Sequence, residues 1–265
     1  MLKDVTLGQF FPGDTLVHRL DPRTKLIFVL LYIVALFQAK GWVSYGLVLA
    51  VTVLAMAISH ISPKNIFKGL KPMLFIIVLT ALLNIFYTSG TPIVPGWIIT
   101  WEGLERSVKM ILRIVLLITG TFLLTYTTSP MALTDGMELL LSPLKKIKVP
   151  VHEMTMMMSM ALRFIPTLIE ETDKIMSAQK ARGADFESGN LIQRAKALLP
   201  ILVPLFVSSF RRADELAVAM ESRCYHGGEG RTRMKQLKMG GKDLFTLAFG
   251  GIFLTAVIVL RHFGW

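Results

Sequence analysis

The sequence predicts an all-α integral membrane protein, with about five transmembrane helices and a set of long cytoplasmic helices. Three observations lead there. The chain is 53% hydrophobic across 265 residues, and its mean hydropathy of +0.56 is too high for an ordinary soluble domain. Its apolar residues gather in charge-free runs close to the length that crosses a bilayer. Its net charge of +11 comes from lysines and arginines concentrated in alternate connections. That alternation marks the cytoplasmic loops of a multi-pass protein rather than a nucleic-acid surface.

The elements follow in order. The opening "MLKDVTLGQFFPGD" has no apolar core and no small-residue cleavage site, so no signal peptide is expected. Asp21 and Pro22 suit the cap and first position of a helix, which carries the first apolar run, Leu26 to Ala39. Lys40 and Gly41 interrupt it, and Trp42 to Ser59 forms a second run, so the two read as a helical hairpin. A third run follows Pro72 from Met73 to Tyr87, a fourth extends from Met110 to Thr128, and a fifth from Leu244 to Leu260. The expected organisation is a membrane domain over 1–128 with four spans, a cytoplasmic domain over 129–242, and a last span within 243–265.

Basic residues orient the spans. Lys3, Arg19, Arg23 and Lys25 precede the first, Lys64, Lys68 and Lys71 join the second to the third, and five more precede the fifth. The alternate connections hold only Lys40, then Arg106 and Lys109. The expectation is an N-terminus inside, a C-terminus outside and a cytoplasmic segment from Ser129 to Lys242. Arg113 is the exception within a span, where a charge costs at least ~3 kcal/mol. Near the outer end it is expected to snorkel, or to join Glu105 and Lys109 on one helix face; a transport role is the alternative.

The cytoplasmic segment begins with a short helix over Met131 to Leu141. A long helix then runs from Pro150 to Gly183, with Met154, Met157, Ala161, Ile165 and Leu168 at helical spacing and Glu170, Glu171 and Asp173 beside them. A second long helix runs from about Leu191 to Cys224, interrupted at Pro200 and Pro204. Its apolar part, Ala197 to Phe210, is too short to span a membrane. Met154, Met156, Met157, Met158 and Met160 wrap most of the first helix, so some of them face outward. A methionine stripe is often simply core. Flexible thioethers also suit a surface that repacks against different partners.

Each long helix ends on an arginine. "AQKARGADF" sets Arg182 between Ala181 and Gly183, and "MESRCYHGG" sets Arg223 between Ser222 and Cys224. The small flanks let another surface approach the backbone, and a guanidinium forks onto a carboxylate as an ammonium cannot. A cation at a helix C-terminus also complements the dipole, an effect below ~1 kcal/mol. Two such ends separated by the length of a helix, roughly 30–50 Å, cannot enter one pocket, whereas a dimeric partner offers two. Cys224 cannot stop a helix as glycine does, so the second helix is expected to continue to Gly227 and Gly228.

Several classes are excluded. No Gly-x4-Gly-Lys-Ser/Thr occurs, so the chain is not expected to hydrolyse ATP itself. His18, His60, His152, His226 and His262 are scattered, and Cys224 with His226 makes at best a two-ligand set, so no metal site is expected. No carboxylate lies in a span where proton coupling needs one. An intramembrane hydrolase or transferase lacks a catalytic constellation.

"ALRFIPTLIEETDKIMSAQKARG" and "LDPRTKL" resemble the transmembrane T subunit of energy-coupling factor (ECF) transporters, in a style like the shared T subunits of Gram-positive bacteria. The resemblance covers essentially the whole chain. It implies a cell-membrane subunit with no cofactor of its own, since ATP and Mg²⁺ bind to two partner ABC ATPase subunits. Ala181, Arg182 and Gly183, and Ser222, Arg223 and Cys224, would enter grooves on those two ATPases. Met154, Met157, Met158 and Ala161 would meet a separate substrate-binding S subunit that carries a vitamin or other micronutrient. The rival class is the permease of an ordinary ABC importer, which lines the substrate path itself. Such permeases usually couple through one short cytoplasmic helix, whereas this chain devotes over a third of its length to that region.

The charge distribution makes a direct prediction. A reporter fused after Trp265 reads outside, and one inserted between Gly183 and Asn190 reads in the cytoplasm. Both reporters on one side would break the five-span topology.

Overall fold

A computed structural model of the chain describes residues 10–92, 100–186, 190–227 and 237–263. Among these, the elements are α1 (Pro22–Gln38), α2 (Trp42–Ser59), α3 (Pro63–Leu70), α4 (Leu74–Tyr87), α5 (Trp101–Thr127), α6 (Pro130–Leu141), α7 (Val151–Ala181), α8 (Leu191–Glu221) and α9 (Gly241–His262). Short 3-10 turns cover Lys71–Met73 and Ser142–Ile147, and one isolated β-bridge joins Pro92 to Thr100. The protein is an all-α integral membrane protein. Its chain divides into two compact units, Gly8–Gly136 with Gln236–Trp265, and Met137–Lys235.

In the first unit four segments are long and apolar enough to cross a membrane: α2, α3 through α4, α5 and α9. α1 has 17 residues, the low end of spanning length. It packs on α9, α5 and α2. Tyr32, Leu36, Val48, Leu116 and Val257 form the shared core. The Tyr32 hydroxyl lies 2.8 Å from the Thr52 hydroxyl and donates to the Leu116 carbonyl at 2.9 Å. A polar group in the bundle is thereby satisfied internally, as a bilayer requires.

Three sequence expectations are refined here. Asp21 does cap α1, accepting from the Arg23 amide at 2.9 Å, with Pro22 in the first turn. The third span begins earlier than Met73, because the turn at Lys71–Met73 absorbs Pro72 and joins α3 to α4 as 25 continuous residues. The fourth begins at Trp101, where the Thr100 hydroxyl accepts the Gly103 amide at 3.1 Å. With 27 residues in α5, Arg113 stands mid-helix rather than near an end. It donates to the Ala39 carbonyl at 3.1 Å and lies over the rings of Phe37 and Tyr45, while Glu105 and Lys109 pair with each other. The guanidinium therefore closes the C-terminus of α1.

The "DPRTK" stretch ties three helix ends together. Asp243, in the first turn of α9, accepts from the Asp21 amide at 2.8 Å and from the Gly240 amide at 2.8 Å. The buried Lys25 ammonium donates to the carbonyls of His18 and Thr127 and to the Thr128 hydroxyl. Arg23 donates to the Leu237 carbonyl at 2.8 Å. The middle of α6 approaches this cluster, and a Cβ at Gly136 would stand 2.9 Å from that of Pro22. Glycine there is a condition of close approach.

In the second unit α7 and α8 pack on each other. Each has 31 residues and internal proline, Pro166 in α7 and Pro200 and Pro204 in α8. Proline removes a ladder hydrogen bond, so each helix is articulated rather than uniformly stiff. Ahead of them, His152 Nδ1 lies 3.0 Å from Glu138.

Candidate functional site

The two arginine ends share one backbone solution. At the end of α7 the Ala184 amide donates to the Gln179 carbonyl and the Gly183 amide to the Lys180 carbonyl, both at 3.0 Å. At the end of α8 the Tyr225 amide donates to the Met220 carbonyl at 3.1 Å and the Cys224 amide to the Glu221 carbonyl at 2.9 Å. Each is a Schellman closure, with a left-handed residue just beyond the cap. Gly183 takes that position with φ of 88°, and Cys224 with φ of 56°. Arg182 and Arg223 are therefore the same residue of the same motif.

This corrects the expectation at Cys224. α8 does not continue to Gly227; it stops at Glu221, and the cysteine adopts the left-handed conformation itself. The two bonds that close the turn offset the strain that glycine would have avoided. Arg182 and Arg223 are both exposed. Neither side chain has a hydrogen-bond or ion-pair partner among the described residues.

A bracing contact lies between the two ends. Glu171 of α7 accepts from the Ser208 hydroxyl through one carboxylate oxygen and from Arg212 at 3.2 Å through the other. The Arg212 guanidinium also stands 5.9 Å from the centre of the Phe164 ring. Further along, the Tyr225 hydroxyl donates to the Met156 sulfur at 3.0 Å, so the helices run antiparallel. Arg182 lies eleven residues beyond Glu171, and Arg223 eleven beyond Arg212. At 1.5 Å per residue the tips lie about 16 Å to either side of the brace, or about 33 Å apart before crossing and proline bends act.

The sequence did not single out this brace. It placed Glu170, Glu171 and Asp173 together on the polar side, and nothing local separates the one that pairs. The available signal was on α8, where Ser208 and Arg212 stand one turn apart and so share a face.

The methionines divide by direction. Met154, Met157 and Met158 are 48%, 62% and 42% exposed, and Ala161 is exposed beside them. Met156, bonded to Tyr225, turns toward α8. The exposed four fall at i, i+3, i+4 and i+7, a continuous apolar stripe with a small residue at its end. Among the described residues no group of three or more His, Cys, Asp or Glu is placed to hold a metal ion.

Comparison with known proteins bears on the whole chain. The cobalt transport protein family CbiQ matches residues 13–234. The energy-coupling factor transporter transmembrane protein EcfT of Clostridium kluyveri is 54% identical, over 100% of this chain and 99% of its own. The protein of the same name from Bacillus subtilis is 51% identical over 92% of this chain and 93% of its own. That of Lactococcus lactis is 45% identical over 98% of each.

The shared closure predicts opposite responses at its two left-handed positions. Cys224→Gly relieves a strained φ and stabilises the end of α8 by ~1 kcal/mol, whereas Gly183→Ala weakens the end of α7 by ~1 kcal/mol. Amide exchange of residues 184 and 225 measures both. Faster exchange at 225 in the glycine variant would contradict the closure.

Proposed function

The chain belongs to the cobalt transport protein family, among the transmembrane energy-coupling components of energy-coupling factor transporters, and on that premise we propose that it passes work from two partner ATPase subunits to a separate substrate-binding membrane subunit. Arg182 enters an acidic groove on one ATPase and Arg223 an equivalent groove on the other. The observation that carries this reading is the pair of identical helix ends. Each offers an exposed guanidinium, flanked by Ala181 and Gly183 or by Ser222 and Cys224, with the two tips about 33 Å apart. The fork of each arginine matches a carboxylate with two parallel hydrogen bonds.

The outward stripe of Met154, Met157, Met158 and Ala161 receives the substrate-binding subunit. Thioether side chains repack at little cost, which suits a face that accepts more than one such partner. ATP and Mg²⁺ belong to the ATPases, and this chain carries no catalytic residue and no cofactor. The N-terminus and the α7–α8 hairpin lie in the cytoplasm, the C-terminus lies outside, and the cargo is a vitamin or another micronutrient bound by the partner.

Two measurements test the reading. Truncating a desolvated charged contact costs about 2–5 kcal/mol. Arg182→Ala and Arg223→Ala each therefore lower ATPase copurification or uptake per ATP hydrolysed, and the double variant loses uptake. Arg→Lys restores only part, because the charge remains and the fork is lost. A double variant that assembles and transports normally ends the proposal, and full rescue by lysine returns both residues to a helix-dipole role. Changing Met154, Met157 and Met158 together to Ser weakens retention of the substrate-binding subunit and leaves ATPase binding intact. Equal loss of both partners with falling protein yield assigns those methionines to packing instead.

A further inference from the structure

A cleft of about 570 Å³ lies within the membrane unit, between α1, α2, α5 and α9. Its floor is buried: Tyr32, Val51 and Thr52 are 4%, 8% and 3% exposed. Its rims are open, with Leu54 on α2 51% exposed and Phe245 on α9 75% exposed. Three of the four walls are helices long and apolar enough to cross a membrane. The cleft therefore opens sideways at membrane depth, where hydrocarbon rather than water meets it.

The polar groups in its walls need nothing from a ligand. Tyr32 donates to the Leu116 carbonyl, and Thr52, Ser59, Thr127 and Thr246 donate to carbonyls of their own helices. Lys25 has three acceptors. Water in such a space finds no unpaired partners. Lys242 differs from the rest. It lines the cleft from the first turn of α9 and is exposed, and its side-chain ammonium has no hydrogen-bond or ion-pair partner among the described residues. Phe245 and Phe249 continue its face at i+3 and i+7.

An apolar slot with one unpaired cation at its end is complementary to an anionic amphiphile, and its volume lies in the range of sites that enclose small ligands. We propose that this cleft holds an anionic phospholipid of the surrounding bilayer, one acyl chain lying over Tyr32 and Val51 and the phosphate resting at Lys242. The lipid fills a groove that would otherwise leave the bundle unpacked along α2 and α9. The site depends only on membrane residence and is independent of the roles given to Arg182 and Arg223.

Native mass spectrometry tests it on the detergent-purified chain with its copurifying partners. Dioleoyl phosphatidylglycerol, dioleoyl phosphatidylcholine and oleate are offered separately, and bound molecules are counted after detergent washing. The expected result is one phosphatidylglycerol retained per chain, in preference to the other two. Lys242→Ala lowers that retention about fivefold, the worth of one lysine near an anionic headgroup. Thr246→Trp, which fills the slot between Lys242 and Phe249, abolishes it. Lys64→Ala, on α3 and outside the cleft, leaves it unchanged and serves with partner copurification as the folding control. Equal retention in the wild type, Lys242→Ala and Thr246→Trp overturns the proposal. So does retention of phosphatidylcholine or oleate at the level of phosphatidylglycerol.

Discussion

A buried lysine holds the membrane unit together at the point where the chain leaves it. The Lys25 ammonium cannot remain charged away from water unless its protons are accepted, and three oxygens from residues 18, 127 and 128 accept them. Two of those oxygens mark the end of α5. On the other side, Asp243 grips the start of α1 and the turn before α9. The last residues of α5 and the turn before α9 are thus pinned to one helix terminus. Removing any one of Lys25, Asp21 or Asp243 would leave buried polar groups unpaired, at about 1–3 kcal/mol each and more for a charged one.

From that anchored point the chain builds two long helices with equivalent ends. The identity of the closures is the informative feature. A Schellman turn fixes the direction of the last residue before the left-handed position, so the two guanidinium groups are presented by the same local geometry. The Glu171 brace then relates them, because it stands the same number of residues from each tip. Half-exposed ion pairs contribute little to stability on their own, commonly below ~1 kcal/mol. This one is reinforced by Ser208 and by the Phe164 ring, and all four side chains converge on a single contact between the helices. Proline flanks the contact on both helices, so bending is available on either side of it.

The apolar surface has two different meanings in the two units. In the membrane unit, exposed Phe, Leu and Val on α2, α4 and α9 are what a bilayer requires. In the second unit, Met154, Met157 and Met158 lie on a helix that also carries Glu153, Glu170 and Asp173. We read that mixture as the docking face proposed above for the substrate-binding subunit rather than as a contact with lipid. Methionine, rather than a branched residue, keeps such an interface adaptable.

Much of this fold was legible in the sequence because helix formation is local. Charge-free runs, Asp21 before Pro22, Lys40 with Gly41, and the glycine after Arg182 each act within one or two turns, so reading them needs no knowledge of the rest of the chain. The two arginines were legible for the same reason. What stayed hidden depends on pairings between distant segments. Arg113 meets the end of α1 across 74 residues, and Glu171 reaches Arg212 across 41. Nothing in the neighbourhood of Glu171 distinguishes it from Glu170. The conformation of Cys224 was hidden too, because intrinsic preference argues against it and only the closing hydrogen bonds to Met220 and Glu221 decide in its favour. Local backbone preference told that these helices form and where α1, α2 and α7 begin, while the burial of unpaired polar groups decided which helices meet and through which side chains.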